Sequence, residues 1–254
     1  MPSQFPGKIR TFAKNRLKSI LDGYGYSIVN NSYNYTAASR LDFILKQLFS
    51  GGSQSPLLFD VGANIGKSTI HFKSLFPDSK VYCFEAVPDT YLILASNLNR
   101  LTDVTLYNLA LGATEETRRI FLREDNQWNS LIPEINQYLQ GQNCPSVEVS
   151  ISTIDKIMAD NSIKVIDLLK IDTEGYETEV LRGARSAFEM GGVRSVLLEV
   201  GFDKSQLQHS FYLDIFRQLD ELGFRFQGIY EPSYDKNNSI DFANAFFYRG
   251  NSLG

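Results

Sequence analysis

The sequence contains few of the residues that build metal centres and disulfide frameworks. Its 254 residues include two cysteines and two histidines. We therefore expect no metal site and no disulfide scaffold. Positive charge is not in excess either, because the formal net charge is −4. Surfaces dedicated to nucleic acids are normally basic, so we expect no nucleic-acid partner.

Long apolar runs and a secretory signal pattern are absent as well. This argues against a membrane span, and we expect a cytoplasmic protein in a reducing compartment. The hydrophobic share of 43% and the charged share of 21% are ordinary for a globular protein. A chain of 254 residues is long enough for one large α/β domain with a buried core.

The chain divides into two predicted parts, a helical extension over residues 1–55 and a main domain over residues 56–254. Within the extension, residues 5–21 have the apolar spacing of an amphipathic helix with basic residues on its other faces. Two interpretations remain open. The helix packs on its own domain, where it would cap a substrate site, or it contacts an anionic membrane or an acidic partner.

The most informative stretch begins the main domain. Residues 57–61 form a short apolar run that is typical of a strand buried in a parallel sheet, with Asp60 near its end. Gly62 and Gly66 then allow a tight turn, and the next residue begins a helix whose free N–H groups point back toward the turn. A strand, a glycine turn and a helix in this order are typical of nucleoside cofactor sites.

The spacing of the glycines separates the candidate cofactors. A P-loop requires four residues between its glycines, whereas three residues separate Gly62 from Gly66. A dinucleotide-binding turn requires a glycine in the middle, where this sequence has Asn64. The pattern Asp-x-Gly-x-x-x-Gly suits a ligand without phosphates, such as S-adenosylmethionine. A nicotinamide-dependent oxidoreductase is the rival enzyme class.

Three residues after the turn extend the same candidate site. Glu85 lies at the end of the second predicted strand, where doubly wound sheets use an acid to accept hydrogen bonds from ribose hydroxyls. Ala86 follows it directly. Asn108 and Ala110, at the end of the third strand, are expected beside the adenine. Asn108 is explained equally well as a turn residue with a local backbone hydrogen bond.

A second polar cluster is predicted at the end of the strand over residues 165–171. Lys170, Asp172, Glu174 and Glu177 crowd together there, and a period of two places Lys170 and Asp172 on the same side, close enough to pair. Burying such charges costs roughly several kcal/mol unless they are partnered. Because ligands of open α/β sheets bind at the carboxyl ends of strands, this cluster is a candidate catalytic site.

Five motifs of the main domain occur in the order found in one known family. They are FDVGANIG (59–66), FEA (84–86), STID (152–155), LKIDTEGYE (169–177) and VLRGA (180–184). Over roughly residues 57–250 the chain resembles the FkbM family of S-adenosylmethionine-dependent methyltransferases. The resemblance implies an α/β fold with a Rossmann-like, seven-stranded class I methyltransferase sheet, helices on both faces and a C-terminal antiparallel hairpin.

The same resemblance implies O-methylation of a hydroxyl on a sugar, glycan, polyketide or similar small molecule, with cofactor contacts at Gly62, Asn64, Gly66 and Glu85. It indicates neither the acceptor nor the oligomeric state. A non-catalytic scaffold that has kept the fold is the alternative from another class. The clustered charges argue against it, since a scaffold has no use for them.

Removal of the acceptor's proton requires a base. Asp172 is the first candidate and Glu174 the second, while Lys170 would orient Asp172 and keep it ionised. Asp172 is equally well placed to bind the cofactor's ammonium group. His209 is a third candidate base, although we expect a lone histidine in a polar loop to be exposed.

Two further local patterns are readable. Residues 124–143 are polar, and we predict a long irregular loop in which Trp128 either lines the acceptor pocket or anchors the loop. Ser152 and Asp155 have the spacing of a capping box at the start of a helix, which gives Asp155 a structural role.

Overall fold

The computed structural model describes residues 37–50, 55–123 and 129–249. The predicted helix at residues 5–21 and Trp128 lie outside these ranges, and the predicted division at residue 55 stays a prediction. None of the helices within the described ranges is long and apolar enough to span a membrane.

The described elements alternate between strands and helices along most of the chain. The helices are α1 Ala37–Ser50, α2 Lys67–Leu75, α3 Pro88–Leu98, α4 Pro133–Gly141, α5 Ile154–Asp160, α6 Glu177–Arg182, α7 Arg185–Glu189 and α8 Tyr212–Glu221. The strands are β1 Leu57–Val61, β2 Lys80–Phe84, β3 Val104–Tyr107, β4 Ala110–Leu111, β5 Glu116–Phe121, β6 Ser146–Ser152, β7 Leu168–Ile171, β8 Ser195–Gly201, β9 Arg225–Tyr230 and β10 Phe242–Tyr248.

Seven strands form the main sheet in the order β3-β2-β1-β7-β8-β10-β9. The first five are parallel, and β10 runs antiparallel to both of its neighbours. The predicted seven-stranded sheet with a C-terminal antiparallel hairpin is therefore confirmed. The strand order reverses between β1 and β7, and this switch point is where open α/β sheets bind ligands.

The apolar core lies on both faces of this sheet. Phe59 and Val61 of β1 belong to one buried cluster, and Leu58, which precedes them, belongs to the other. This alternation follows from the period of two in a strand. Residues of α1, α2 and α3 complete the cluster that contains Leu58. The predicted arrangement of helices on both faces is thus confirmed.

The prediction of an irregular loop over residues 124–143 is wrong for its second half, which contains α4. Pro133 occupies the first turn, where a missing N–H costs nothing. Ile135 and Leu139, one turn apart, are buried. The Asn136 side chain accepts a hydrogen bond from Phe121 N at 2.8 Å. Contacts with distant β5 therefore stabilise a helix whose own sequence is mostly polar.

β4, β5 and β6 form a small second sheet, in the order β4-β6-β5, that the sequence did not predict. The capping pattern is also shifted by one residue. Thr153, not Ser152, accepts the capping hydrogen bond at the start of α5. Asp155 instead accepts hydrogen bonds from Ser186 N and Ala187 N at 2.9 and 2.8 Å, so its role is structural, as predicted, but in α7.

Close backbone packing at the VLRGA motif brings the end of α6 against the segment that follows β4. Gly183 ends α6 with an ordinary φ of −74°. A Cβ built on it would lie 1.9 Å from the carbonyl oxygen of Gly112, which follows β4. The glycine is required here by contact distance and not by backbone conformation.

We expect Gly183→Ala to destabilise the fold by about 1–3 kcal/mol or more, because the added methyl group forces the two segments apart. Chemical unfolding monitored by circular dichroism measures the change. Gly141→Ala is the matched control, since a Cβ at Gly141 meets no atom within 4 Å. Equal stability of the two variants would contradict this explanation of the motif.

Candidate active site

The turn after β1 follows from the conformation of its glycines. Gly62 and Gly66 have φ values of 76° and 90°, and Asn64 between them also has a positive φ of 48°. A Cβ at Gly62 would lie 1.8 Å from the carbonyl oxygen of Asp172. The turn therefore lies directly against the end of β7, and any larger residue at position 62 would separate the two.

A buried ammonium group joins the same two strands. Asp60 and Lys170 are paired in the register of β1 and β7. Lys170 Nζ lies 3.2 Å from Asp60 Oδ1 and 3.1 Å from Asp172 Oδ2, which confirms the predicted pairing of Lys170 with Asp172. Thr69 donates a hydrogen bond of 2.6 Å to the other oxygen of Asp60. Burial opposes the charge of Lys170, but the two carboxylates outweigh it and raise the pKa of its ammonium group.

The carboxylate of Glu85 holds together the two loops that follow β1 and β2. One oxygen accepts a hydrogen bond from Asn64 N at 3.0 Å, and the other accepts one from Val87 N at 2.9 Å. Burial raises the pKa of Glu85, and the two backbone donors oppose that shift. Each carboxylate oxygen has a second lone pair, so both keep the capacity to accept a further hydrogen bond.

A cleft opens at the carboxyl ends of these strands and contains about 730 Å³ of empty space, including its mouth. The residues that line it are Val61, Gly62, Asn64, Phe84, Glu85, Ala86, Val87, Leu109, Ala110, Leu111, Ile120, Asn129, Ser130, Leu131, Asp172, Thr173 and Glu174. Most of the predicted site residues are thus brought together around one space.

Four predicted site residues lie outside that lining. Asp60 and Lys170 form the buried pair behind it. Gly66 lies at the start of α2 and packs against Leu98 of α3. A Cβ added to Gly66 would lie 2.9 Å from that leucine side chain. The amide of Asn108 donates hydrogen bonds to the carbonyl oxygens of Glu85 and Ala86 at 3.0 and 3.1 Å. Asn108 therefore ties the end of β3 to the exit of β2.

Glu177 holds the opposite border of the cleft. One of its oxygens accepts hydrogen bonds from Thr173 N at 3.0 Å and from Gly175 N at 3.2 Å. The other accepts a hydrogen bond of 2.6 Å from the hydroxyl of Ser210. Sequence reasoning placed this acid in the polar cluster without a role, and its role here is to fix the loop that carries Glu174.

Glu174 is poorly suited to be the base. Burial, together with the charges of Asp172, Glu199 and Glu177, raises the pKa of Glu174 to about 9. Its carboxyl group is therefore protonated at neutral pH and cannot accept a proton from the substrate hydroxyl. Ser130 donates a hydrogen bond of 2.6 Å to the backbone carbonyl of Glu174, whose φ is 53°.

The expectation that His209 is exposed is wrong, because only 6% of the residue is accessible to solvent. Its ring stacks on Phe242 with a centroid distance of 4.5 Å. Its Nδ1 atom lies 3.0 Å from Glu199 Oε2. No local pattern reveals this burial, because it depends on pairing between β8 and β10.

We expect Lys170→Met to destabilise the protein by about 3–5 kcal/mol, because it leaves Asp60 charged and unpaired in the core. Urea unfolding measures the change. The double variant Asp60→Asn/Lys170→Met removes both charges and should recover part of the loss. A single variant as stable as the wild type, or a double variant less stable than the single, would contradict the importance of this ion pair.

Comparison with known proteins agrees with this geometry. A family model described as the methyltransferase FkbM domain matches residues 60–226, which is more than half of the chain. Methyltransferase sdnD from Sordaria araneosa is 27% identical over 203 residues, covering 65% of this chain and 78% of that protein.

Two further relatives are named for the molecules or positions that they methylate. Hexuronic acid methyltransferase AglP from Haloferax volcanii is 27% identical over 161 residues, covering 62% of this chain and 61% of that protein. 2-O-methyltransferase NoeI from Sinorhizobium fredii is 22% identical over 142 residues, covering 51% of this chain and 58% of that protein. The chain therefore belongs to the FkbM methyltransferase family and is an S-adenosylmethionine-dependent methyltransferase.

Proposed function

We propose that this methyltransferase acts on a hydroxyl oxygen of a sugar or a similar polyhydroxylated small molecule. The observation that carries the proposal is the acidity of the cleft. Among the described residues, the lining includes three carboxyl side chains, Glu85, Asp172 and Glu174, and no lysine or arginine. Carboxyl groups bind hydroxyl donors well, and they suit a cationic sulfonium cofactor.

The same observation argues against the nicotinamide alternative. A pyrophosphate carries negative charge and is bound through glycine-rich backbone and positive groups. A cleft whose described lining holds three carboxyl groups and no lysine or arginine offers it no positive partner. Asn64 stands where the dinucleotide turn needs glycine, and its side chain lies at the position where the pyrophosphate would come closest to the backbone.

The residues around the cleft fit the adenosyl part of the cofactor. Glu85 keeps acceptor capacity on both oxygens for the ribose hydroxyls, and Gly62 keeps the turn free of a Cβ. Leu109, Ala110 and Leu111 supply an apolar surface for the adenine. When bound, the cofactor supplies a methyl group that is already activated on sulfur. The protein's part is to position the acceptor and to exclude water.

The acceptor hydroxyl must lose its proton as it reacts, and we assign Asp172 to accept it. Its side chain is 38% exposed and lines the cleft, while Lys170 holds it from behind at 3.1 Å. Glu174, which is protonated at neutral pH, is assigned to the acceptor side instead. The relatives AglP and NoeI, through their names, support a sugar as the acceptor.

Transfer of a radiolabelled methyl group tests the class of acceptor. We expect label from S-adenosylmethionine to enter hexuronic acids or hexose-containing glycans as methyl ethers, which survive mild alkali. Aromatic amines and simple carboxylic acids are the comparison acceptors. Label found only in amines, or only in alkali-labile esters, would contradict a hydroxyl acceptor.

The variant Asp172→Asn separates the two roles open to this residue. If Asp172 is the base, kcat falls by about 10²–10⁴-fold, while the Kd for S-adenosylhomocysteine, measured by calorimetry, stays near the wild-type value. Asp203→Asn, an acid in the exposed loop after β8, is the control. A large increase in Kd with little loss of kcat would show instead that Asp172 binds the cofactor's ammonium group.

A further inference from the structure

Three side chains from separate segments converge beside the cleft, and one of them, Glu174, lines it. Glu174 follows β7, Glu199 lies in β8, and His209 precedes α8. Each offers one ligand atom, and these atoms all lie within 4.8 Å of one another. We propose that Glu174, Glu199 and His209 bind a divalent transition-metal cation of the Mn²⁺ or Zn²⁺ type.

The first support is that buried polar atoms in this cluster have unused bonding capacity. The His209 side chain is only 4% exposed, and its Nδ1 atom makes no directed hydrogen bond within the described residues, although it lies 3.0 Å from Glu199 Oε2. Glu174 Oε2 is likewise buried without a hydrogen-bond partner there. An unsatisfied buried polar atom costs about 1–3 kcal/mol. One cation would satisfy both atoms.

The second support is the local charge. The carboxyl group of Glu174 interacts electrostatically with Glu199, and the carboxyl groups of both residues interact in the same way with Asp172 and Glu177. Lys170, the nearby ammonium group, is already paired with Asp60 and Asp172. Among the described residues at this point, acidic side chains therefore outnumber basic ones. A dication compensates such an excess more fully than one imidazolium does.

The donor set and the distances indicate the type of ion. Bonds from Zn²⁺ to imidazole nitrogen and carboxylate oxygen are about 2.0–2.2 Å long, so ligand atoms on one ion lie about 3–4.4 Å apart. The contact of 3.0 Å between His209 Nδ1 and Glu199 Oε2 agrees with that spacing. A mixed imidazole and carboxylate set suits Mn²⁺, Fe²⁺ or Zn²⁺, whereas Mg²⁺ and Ca²⁺ prefer oxygen ligands alone.

The surrounding structure holds the ligands in place. Phe242 stacks on the His209 ring with an interplanar angle of 24°. Ser130 and Glu177 fix the loop that carries Glu174. Such outer contacts orient the ligands of natural metal sites. The expectation of no metal site counted cysteines and histidines along the sequence, and it did not anticipate that folding would join one histidine to two distant acids.

The role of the ion rests on the proposed function. Three protein ligands leave coordination positions free, as in catalytic zinc sites. Glu174 also lines the cleft, so those positions would face the acceptor. A hydroxyl oxygen bound there would lose its proton more easily, because a metal ion lowers the pKa of a bound hydroxyl. Asp172, which also lines the cleft, would receive that proton.

Direct metal binding tests the site without any need for turnover. The full-length protein is treated with EDTA, dialysed, and titrated by calorimetry with MnCl₂ and separately with ZnCl₂. We expect saturable binding of one ion by the wild type and an affinity at least about 10-fold lower in Glu199→Gln and His209→Ala. Glu174→Gln, which keeps the side-chain size, tests the same site if His209→Ala fails to fold.

His71→Ala is the matched control, because His71 is the other histidine and pairs with Asp42 at 2.8 Å on the surface. The control variant should bind like the wild type. Absence of saturable binding, or binding lost in His71→Ala and kept in the other variants, would overturn the site. Methyl transfer that persists without metal binding would leave the proposed function standing while the metal proposal falls.

Discussion

The ammonium group of Lys170, buried between Asp60 and Asp172, is the interaction on which the site depends. It lies 3.2 and 3.1 Å from the two carboxylates and joins β1 to β7 at the point where the strand order reverses. The glycine turn packs against the same strand end, since Gly62 has no room for a Cβ beside Asp172. The buried charges, which cost desolvation energy, are therefore compensated at the place where the protein needs a fixed geometry.

The acids around the cleft divide into two groups by their hydrogen bonds. Glu85 and Glu177 accept backbone N–H donors and so hold the loops on the two sides of the cleft. Glu174 and Glu199 are partly buried and accept no comparable backbone donor within the described residues, and burial, together with the negative charges around them, raises the pKa of each. The first group builds the site, and the second group is available for chemistry.

The parts of the fold that local pattern determines were predictable. The strand at residues 57–61, the glycine turn and the pairing of Lys170 with Asp172 follow from periodicity and from glycine conformation, and the structure confirms them. Helix α4 and the burial of His209 were not predictable, because contacts between segments distant in sequence create them. The same reason conceals the approach of Glu199 to Glu174. The topology determines which residues line the cleft. The acids that lack a backbone hydrogen-bond donor can be identified only from the three-dimensional structure.

A crystal structure of the protein with S-adenosylhomocysteine tests the account most directly. The account predicts the ribose hydroxyls within about 2.6–3.0 Å of the Glu85 carboxylate, the adenine against Leu109 and Ala110, and the amino-acid part beside Gly62, with the Lys170 ion pairs unchanged. A nucleoside bound outside the cleft, or a ribose without contact to Glu85, would contradict it.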